Sequence, residues 1–348
     1  MRIAQVAPLY ESVPPAAYGG TERVVSFLTD ELVRQGHDVT LFASGDSRTL
    51  ANLVPICDRA LRLNTRCRDH LAPHVLMIEQ LAKRARDFDA VHFHIAEVHF
   101  PLLRRLPGIV HVTTLHGRLD LEELQPFYDE FCDMPVVSIS DAQRRPLPQA
   151  RWLATVHHGL PTDLLQFSPG PGSYLAFLGR ISPEKRVDRA VAIATACGLP
   201  LKIAAKVDAV DRDYFQTEIR PLLDNPLVEF IGEIGEAQKS AFLGGARALL
   251  FPIDWPEPFG LVMIEAMACG VPVVAFEGGS VPEVIDHGVT GFIVSSVEEA
   301  VQAVHGIDRI DRAVCRATFD RRFSVSRMAW RYERIYRQLQ TRSSDRVA

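Results

Sequence analysis

The sequence predicts an α/β protein made of two doubly wound domains with parallel sheets. Three observations carry this expectation. Short, almost wholly apolar β-rich runs alternate with longer helical patterns along the whole chain. The alternation starts over near residue 170, where "QFSPGPGSYLAFLGR" supplies a Pro/Gly/Ser linker and then a fresh buried strand. The chain, at 348 residues, is longer than one typical core holds.

The strand candidates of the first half are "RIAQVAP", "DVTLFAS", "AVHFHI", "IVHVTTLHG", "VVSIS" and "LATVHHG". Those of the second are "YLAFLGR", "LKIAAK", "VEFIG", "ALLFPI", "PVVAF" and "GFIV". Most are apolar on both faces, as strands covered by helices on both sides must be. Helical patterns fall between them at 21–35, 184–197, 211–223, 236–244 and 259–268. The tail "SVSRMAWRYERIYRQLQ" is an arginine-rich amphipathic helix, with Met328, Trp330, Ile335 and Leu339 expected to pack back on the first domain. The expected domains are therefore 1–166 together with 325–348, and 167–324.

Composition narrows the function. Hydrophobic residues make up 47% and charged residues 23%, a globular profile without an apolar run long enough to cross a membrane. The N-terminus reads as a strand and not as a signal peptide. The six cysteines are scattered without a C-x-x-C, which points to a reduced, cytoplasmic protein without structural zinc. Net charge is −5, and splitting the chain at residue 160 leaves each half with more acidic than basic residues. A nucleic-acid partner is therefore not expected. Local arginines (59, 62, 66, 68, then 104, 105, 144 and 145) read mostly as solvated surface. Weak peripheral contact with an anionic membrane surface, or contact with an acidic acceptor, is their sharper reading.

In doubly wound sheets ligands sit beyond the carboxyl ends of strands, so the informative residues should follow strands. After the first strand, Gly19 and Gly20 precede a helix, where backbone amides can approach an anion, although no G-x-G-x-x-G is present. His116, followed by Gly117, lies at the end of "IVHVTT". His92 and His94 share one strand face and read as structural, since no third ligand is spaced to join them on a metal. Arg180 leaves the seventh strand candidate, and Lys185 falls in the expected first turn of the next helix. A cation is disfavoured there by the helix dipole, so an anionic partner such as phosphate is implied. Two D-x-D strings, Asp87/Asp89 and Asp211/Asp213, read as structural.

The stretch "DWPEPFGLVMIEAMACGVP" carries two carboxylates, Glu257 and Glu265, across an expected helix start at Pro258 and Phe259. Eight helical positions span roughly 12 Å, too far for a glycosidase pair. The spacing suits two carboxylates that grip separate hydroxyl-bearing parts of one long ligand. The free amides of Phe259, Gly260, Leu261 and Val262 would lie between them for an anion.

These residues carry a resemblance. "EPFGLVMIE" looks like the E-x7-E signature of the family 4 retaining glycosyltransferases, relatives of glycogen and sucrose synthases. "FLGRISPEKRVD" resembles their phosphate segment and "PPAAYGGTERVV" their N-terminal glycine loop. "TTLHG", "VSISD", "VHHGLPTD" and "GGSVPEVIDHGVTGFIV" follow in the family's order. The likeness runs from Ile3 to about Tyr336. It implies the GT-B fold, two Rossmann-like domains facing a cleft, and transfer of a hexose from a nucleotide sugar.

By this resemblance Glu257 would hold the donor sugar, Glu265 the ribose, and the amides of Phe259 to Val262 the sugar and pyrophosphate. Arg180 and Lys185 would neutralise the leaving diphosphate, and Gly19 and Gly20 would approach the phosphates or the acceptor. His116 would face the sugar, and Ile234 would pack on the base. UDP-glucose or a similar UDP-hexose is the expected donor, GDP-mannose the next. No metal or other cofactor is required. The acceptor is a small molecule, lipid or glycan, bound by loops around 10–20, 57–75 and 116–130. The chain departs from common members at His158, where many have asparagine, and at "IAAKVD", which lacks the usual glycines. A sugar-nucleotide epimerase and a non-catalytic sugar-nucleotide binder are the competing readings.

Overall fold

A computed structural model describes residues 1–16 and 19–344. The chain divides into two compact units, 1–159 with 325–348, and 160–324. The linker near 170 is thus not the joint. Residues 160–166 belong to the second unit because Arg316 donates to the carbonyls of Thr162 and Leu165, and Leu160 N–H donates to Phe323 O.

In chain order the first unit holds β1 (Arg2–Val6), α1 (Gly20–Arg34), β2 (Asp38–Ala43), β3 (Asn52–Pro55), α2 (Leu71–Arg84), β4 (Ala90–Phe93), α3 (Phe100–Leu103), β5 (His111–Thr114), α4 (Leu124–Glu130), β6 (Pro135–Ser138), α5 (Asp141–Arg144) and β7 (Arg151–Thr155). The second holds β8 (Tyr174–Ile181), α6 (Val187–Cys197), β9 (Leu201–Val207), α7 (Arg212–Tyr214), β10 (Val228–Gly232), α8 (Glu236–Gly244), β11 (Ala246–Phe251), α9 (Leu261–Ala268), β12 (Val273–Phe276), α10 (Val281–Val284), β13 (Gly291–Val294), α11 (Val297–His305) and α12 (Arg312–Arg322). The last helix, α13 (Val325–Ser344), belongs to the first unit.

Both sheets are parallel. Their orders are β3-β2-β1-β4-β5-β6-β7 and β10-β9-β8-β11-β12-β13. Strand order reverses between β1 and β4 in the first unit and between β8 and β11 in the second. In each unit, taken by itself, the loops leaving the two strands at the reversal flank the place where doubly wound folds take ligands. The strands are buried as their composition demands: Ile3, Ala4 and Val6 on β1, and Leu175, Ala176 and Phe177 on β8, are at most 3% exposed.

The edge strand β3, only half-buried, escapes the reading from sequence because it lacks a sustained apolar run. On α13 the buried stripe is Val325, Met328, Ala329, Tyr332, Ile335 and Tyr336, spaced three and four apart. Trp330, expected to pack inward, is instead 48% exposed and lies under the Arg334 guanidinium. Among the described residues no helix is long and apolar enough to cross a membrane.

Candidate functional site

The second unit gathers its candidate residues at the strand reversal. Arg180 is still part of β8, and Lys185 follows it in a 3-10 turn, Pro183–Lys185. The helix after it starts only at Val187, because Arg186 adopts a left-handed backbone with φ 51°. Lys185 is therefore not in the helix's first turn, and the dipole argument drawn from the sequence does not apply. A nearer group explains its placement. The Lys185 ammonium is ion-paired with Glu257 Oε2, which also accepts from Trp255 Nε1 at 3.0 Å. The ammonium lies 4.8 Å from the Trp255 ring centroid and 5.6 Å from that of Phe251. Glu257 is buried, and its Oε2 is committed to these two donors.

Arg180 is held by acids. Its Nη2 donates to Glu184 Oε1 at 2.5 Å, Nη1 lies 3.7 Å from Asp208 Oδ2, and Nε lies 3.6 Å from Asp211 Oδ2. Asp211 stands at the cap position of the short helix after it, but its side chain makes no cap hydrogen bond. Burial raises the Asp211 carboxyl above its usual range, Arg180 pulls it down, and Glu184 and Asp208 push it up again. Burial also acts to raise Glu184. Backbone hydrogen bonding, Ser182 and Arg180 together overcome that and hold its carboxyl low. The acidic collar occupies the place of the missing glycines after β9. Of the other D-x-D string, Asp89 accepts from Arg2 N–H at 2.8 Å, which makes it structural.

The helix expected from Phe259 starts at Leu261, because Gly260 sits in the left-handed region with φ 77°. The free amides of α9 are thus those from Leu261 onward, and the rise of a straight helix does not measure the separation of Glu257 and Glu265. Phe259 is buried, and its carbonyl accepts from Ser280 Oγ at 2.8 Å. Gly260, Leu261 and Val262 are half-buried. Glu265, 4% exposed on α9, accepts from Lys239 Nζ of α8 at 2.6 Å. Ile234 lies half-buried between β10 and α8, one residue before that helix's cap.

Behind the Glu257 turn lies the loop after β12. Ser280 N–H donates to Glu257 O at 2.9 Å, and a Cβ on Gly279 (φ 55°) would stand 2.1 Å from that carbonyl oxygen. Gly279→Ala is therefore expected to push the Glu257 turn out of place. Thermal unfolding should show a destabilisation of about 2 kcal/mol or more.

In the first unit, Gly19 lies against Pro15 and Glu11, and α1 begins at Gly20. Glu11 and Glu22 stand nearby, with the Arg62 guanidinium against Glu11. Burial, and secondarily Glu11, raise the Glu22 carboxyl, while Arg62 reaches Glu11 at 2.8 Å. Ala17 and Tyr18, in the expected acceptor loop 10–20, lie outside the described residues.

His116 follows β5. Its Nε2 is 2.9 Å from His94 Nδ1, and its ring stacks on His158 at 5.3 Å. Burial pushes the His116 ring down to about 3, and it keeps His92, His94 and His158 neutral as well. The ring nitrogens of His92 and His94 are all spent on hydrogen bonds inside the chain, as a structural role requires. Among the described residues no group of three His, Cys, Asp or Glu is placed to hold a metal ion.

Trp255, Lys239 and the carboxylates of Glu184, Asp208 and Asp211 were not singled out from the sequence as partners of the clamp. Trp255 and Glu184 carried a signal, because each falls inside a stretch already quoted for the resemblance or the paired glutamates, and Asp211 was named as part of a D-x-D string.

Known proteins resemble the chain over most of its length. Residues 166–311 match the family model described as Glycosyl transferases group 1, and residues 18–152 the model described as Glycosyltransferase Family 4. N-acetyl-alpha-D-glucosaminyl L-malate synthase of Bacillus anthracis is 27% identical over 317 residues, covering 82% of this chain and 81% of the relative. Phosphatidyl-myo-inositol mannosyltransferase of Mycolicibacterium smegmatis is 26% identical, covering 84% and 81%. Among solved structures, AviGT4, a glycosyltransferase involved in avilamycin A biosynthesis, is 25% identical over 98% of each chain with a TM-score of 0.72.

Proposed function

Because the chain belongs to the group 1, family 4 glycosyltransferases and has their GT-B fold of two parallel-sheet α/β domains, we propose that it moves a hexose from a nucleotide sugar to an acceptor hydroxyl, with retention at the anomeric carbon and without a metal ion. One observation carries this reading. Lys185 and Glu257 pair beyond β8 and β11, where the strand order of the second unit reverses, Arg180 stands near the end of β8, and Glu265 lies on the helix that follows Glu257.

In this reading the second unit binds the donor. Glu257 holds sugar hydroxyls, with its orientation set by Lys185 and Trp255. Glu265 takes the ribose, with Lys239 as its counter-charge, and Ile234 packs on the base. The amides from Gly260 to Val262 bind sugar and pyrophosphate beside the buried Phe259. Arg180 and Lys185 stabilise the charge that grows on the leaving diphosphate, a large electrostatic contribution in such reactions. The first unit supplies His116 to the sugar, and its Gly19–Gly20 turn and neighbouring loops to the phosphates or the acceptor.

The bond between the anomeric carbon and the diphosphate oxygen breaks, and its electron pair leaves with the diphosphate. The acceptor oxygen bonds to the same face of the carbon, and its proton passes to a diphosphate oxygen. A trapped glycosyl–enzyme adduct would overturn this step.

UDP-glucose or a similar UDP-hexose is the favoured donor, with GDP-mannose next. The relatives' names specify N-acetylglucosamine and mannose, so the family does not fix the sugar. The acceptor is a hydroxyl-bearing small molecule, lipid or glycan. Weak membrane contact gains no support from Arg62, which pairs with Glu11, from Arg104, which pairs with Glu130 and Asp133, or from Arg144, which lies over Trp152. Six free cysteines are consistent with a cytoplasmic protein.

Calorimetry of UDP-glucose, UDP-N-acetylglucosamine, GDP-mannose and ADP-glucose in EDTA tests the reading. One donor should bind, and Glu257→Ala should weaken it by about tenfold or more. Binding indifferent to Glu257, or binding only after metal is added, would refute the assignment of the clamp.

A further inference from the structure

The register of the second sheet sets Arg180 of β8 opposite Lys206 of β9. The loop after β9 then places Asp208 near both cations and Asp211 near Arg180. With Glu184, two cations meet three carboxylates. Two of these acids are committed. Glu184 accepts from Arg180 Nη2 at 2.5 Å, and Asp208 Oδ1 lies 2.9 Å from the Lys206 ammonium.

Asp211 differs. Its Oδ2 lies 3.6 Å from Arg180 Nε, beyond hydrogen-bond reach, and has no hydrogen-bond partner among the described residues. The charged groups that act on it are Arg180 of β8, Glu184 of the turn after β8 and Asp208 of its own loop. Lys206 is engaged by Asp208, and Arg212 and Asp213, next along the chain, are exposed. Among the described residues Arg180 is thus the one cation that favours the ionised form of Asp211.

A sugar diphosphate would change this balance. The Arg180 side chain is 30% exposed, so a ligand can reach it. A diphosphate that pairs with the guanidinium uses its charge and adds negative charge beside Asp211. A half-buried carboxylate with neither a hydrogen bond nor a cation to itself then gains from protonation.

We propose that Asp211 is a positioning residue that acts through Arg180 as a charge gate: it competes with the donor's diphosphate for the guanidinium, and takes up a proton from water when the diphosphate wins. The inference rests on the reading of Arg180 as part of the diphosphate clamp. Its sign is fixed. The Asp211 carboxyl titrates higher in the donor complex than in the free chain, so binding strengthens as pH falls through the value in the complex. Burial already sets the free value above the ordinary carboxylate range, which moves the transition toward neutrality. The same repulsion acts on the product, so the gate favours release of the nucleoside diphosphate.

The test is calorimetry of whichever nucleotide sugar binds among UDP-glucose, UDP-N-acetylglucosamine, GDP-mannose and ADP-glucose. It is run at pH 6.5 and 8.0, each in two buffers of different ionisation heat. A sugar-bound diphosphate does not titrate in that range, so the protons counted belong to the protein. The intact protein should take up part of a proton per donor at pH 6.5 and bind several-fold tighter there than at pH 8.0. Binding without uptake at pH 6.5 overturns the proposal, and no variant needs to fold for that result.

Asp211→Asn, which imitates the protonated carboxyl, should take up no proton and lose the pH dependence. At pH 8.0 it should bind the donor and the nucleoside diphosphate about tenfold tighter than the parent. A damaged fold does not produce such a gain. Uptake that persists in this variant, or a folded variant that binds more weakly, overturns the proposal. Asp213→Asn removes an equal charge from an exposed neighbour and should leave affinity within about twofold. An equal gain there counts against a role particular to Asp211. A chain that binds none of the four nucleotide sugars refutes the transferase reading, while a donor that binds without proton uptake refutes the gate alone.

Discussion

Lys185→Ala is expected to lower kcat by about 100- to 1,000-fold, the scale found when one preorganised donor to a developing anion is removed. The ammonium has two jobs in the geometry described. It pairs with Glu257 Oε2, and it lies against the Trp255 ring, in surroundings where a charge is screened less than on the surface. Donor binding should weaken less than turnover, because the diphosphate gains charge only as the sugar bond breaks.

Lys185→Arg should rescue only part of the loss, since a planar fork cannot take the place of a compact ammonium beside both Glu257 and the indole. Lys185 and Glu257 form one pair, so the double variant Lys185→Ala/Glu257→Gln should cost less than the two single losses combined. Steady-state kinetics on the donor found by calorimetry decides the matter. A Lys185→Ala enzyme within threefold of the parent would remove lysine from the leaving-group clamp.

The second large effect is acid lability of the first unit. Burial holds His92, His94, His99, His116 and His158 well below the ordinary imidazole value of 6.5, with His116 at about 3. Among the described residues, the titratable neighbours that act on them are other histidines, which push in the same direction. The unfolded chain binds these protons and the folded one does not. Stability is therefore fully present above pH 6.5 and is lost as pH falls below it. Each ring that stays neutral while the unfolded chain takes up a proton costs up to about 1.4 kcal/mol per pH unit below 6.5, so the five together cost up to about 7 kcal/mol per unit. Against a usual stability of about 5–15 kcal/mol, unit 1 should unfold within one to two pH units.

All five rings belong to the first unit, and the second has only His287 and His305. Hydrogen exchange at pH 7.5 and 5.5 should therefore show protection lost first in peptides from 1–159. Equal protection at both pH values would contradict the neutral cluster.

The strands were legible because burial on both faces leaves an apolar run whatever the neighbours are. The clamp residues were legible as types in an order, but their surroundings were not. Nothing local shows that Arg186 turns left-handed, a conformation that side chains other than glycine seldom adopt. The expected helix was therefore carried back over Glu184 and Lys185. Gly260 did carry such a signal, yet the apolar pattern around it suggested uninterrupted helix. The pairs Lys239–Glu265 and Arg180–Asp208 depend on which loops the sheet brings side by side. Residues 5, 94, 116 and 336 are joined through side-chain hydrogen bonds that no periodicity encodes.

The return of α13 to the first unit also has a consequence for biosynthesis. When residue 159 has been made, Gln5, His92 and Thr114 still lack the hydroxyls of Tyr336 and Tyr332 that complete their hydrogen bonds. The whole second unit must be translated first, about 10 to 30 s at ordinary elongation rates. The ribosome therefore finishes the second unit before the first can close. For that interval the polar groups of Gln5, His92 and Thr114 stay without their tyrosine partners on the nascent chain, so a part of the first unit that is made early is among the last to reach its final hydrogen bonding.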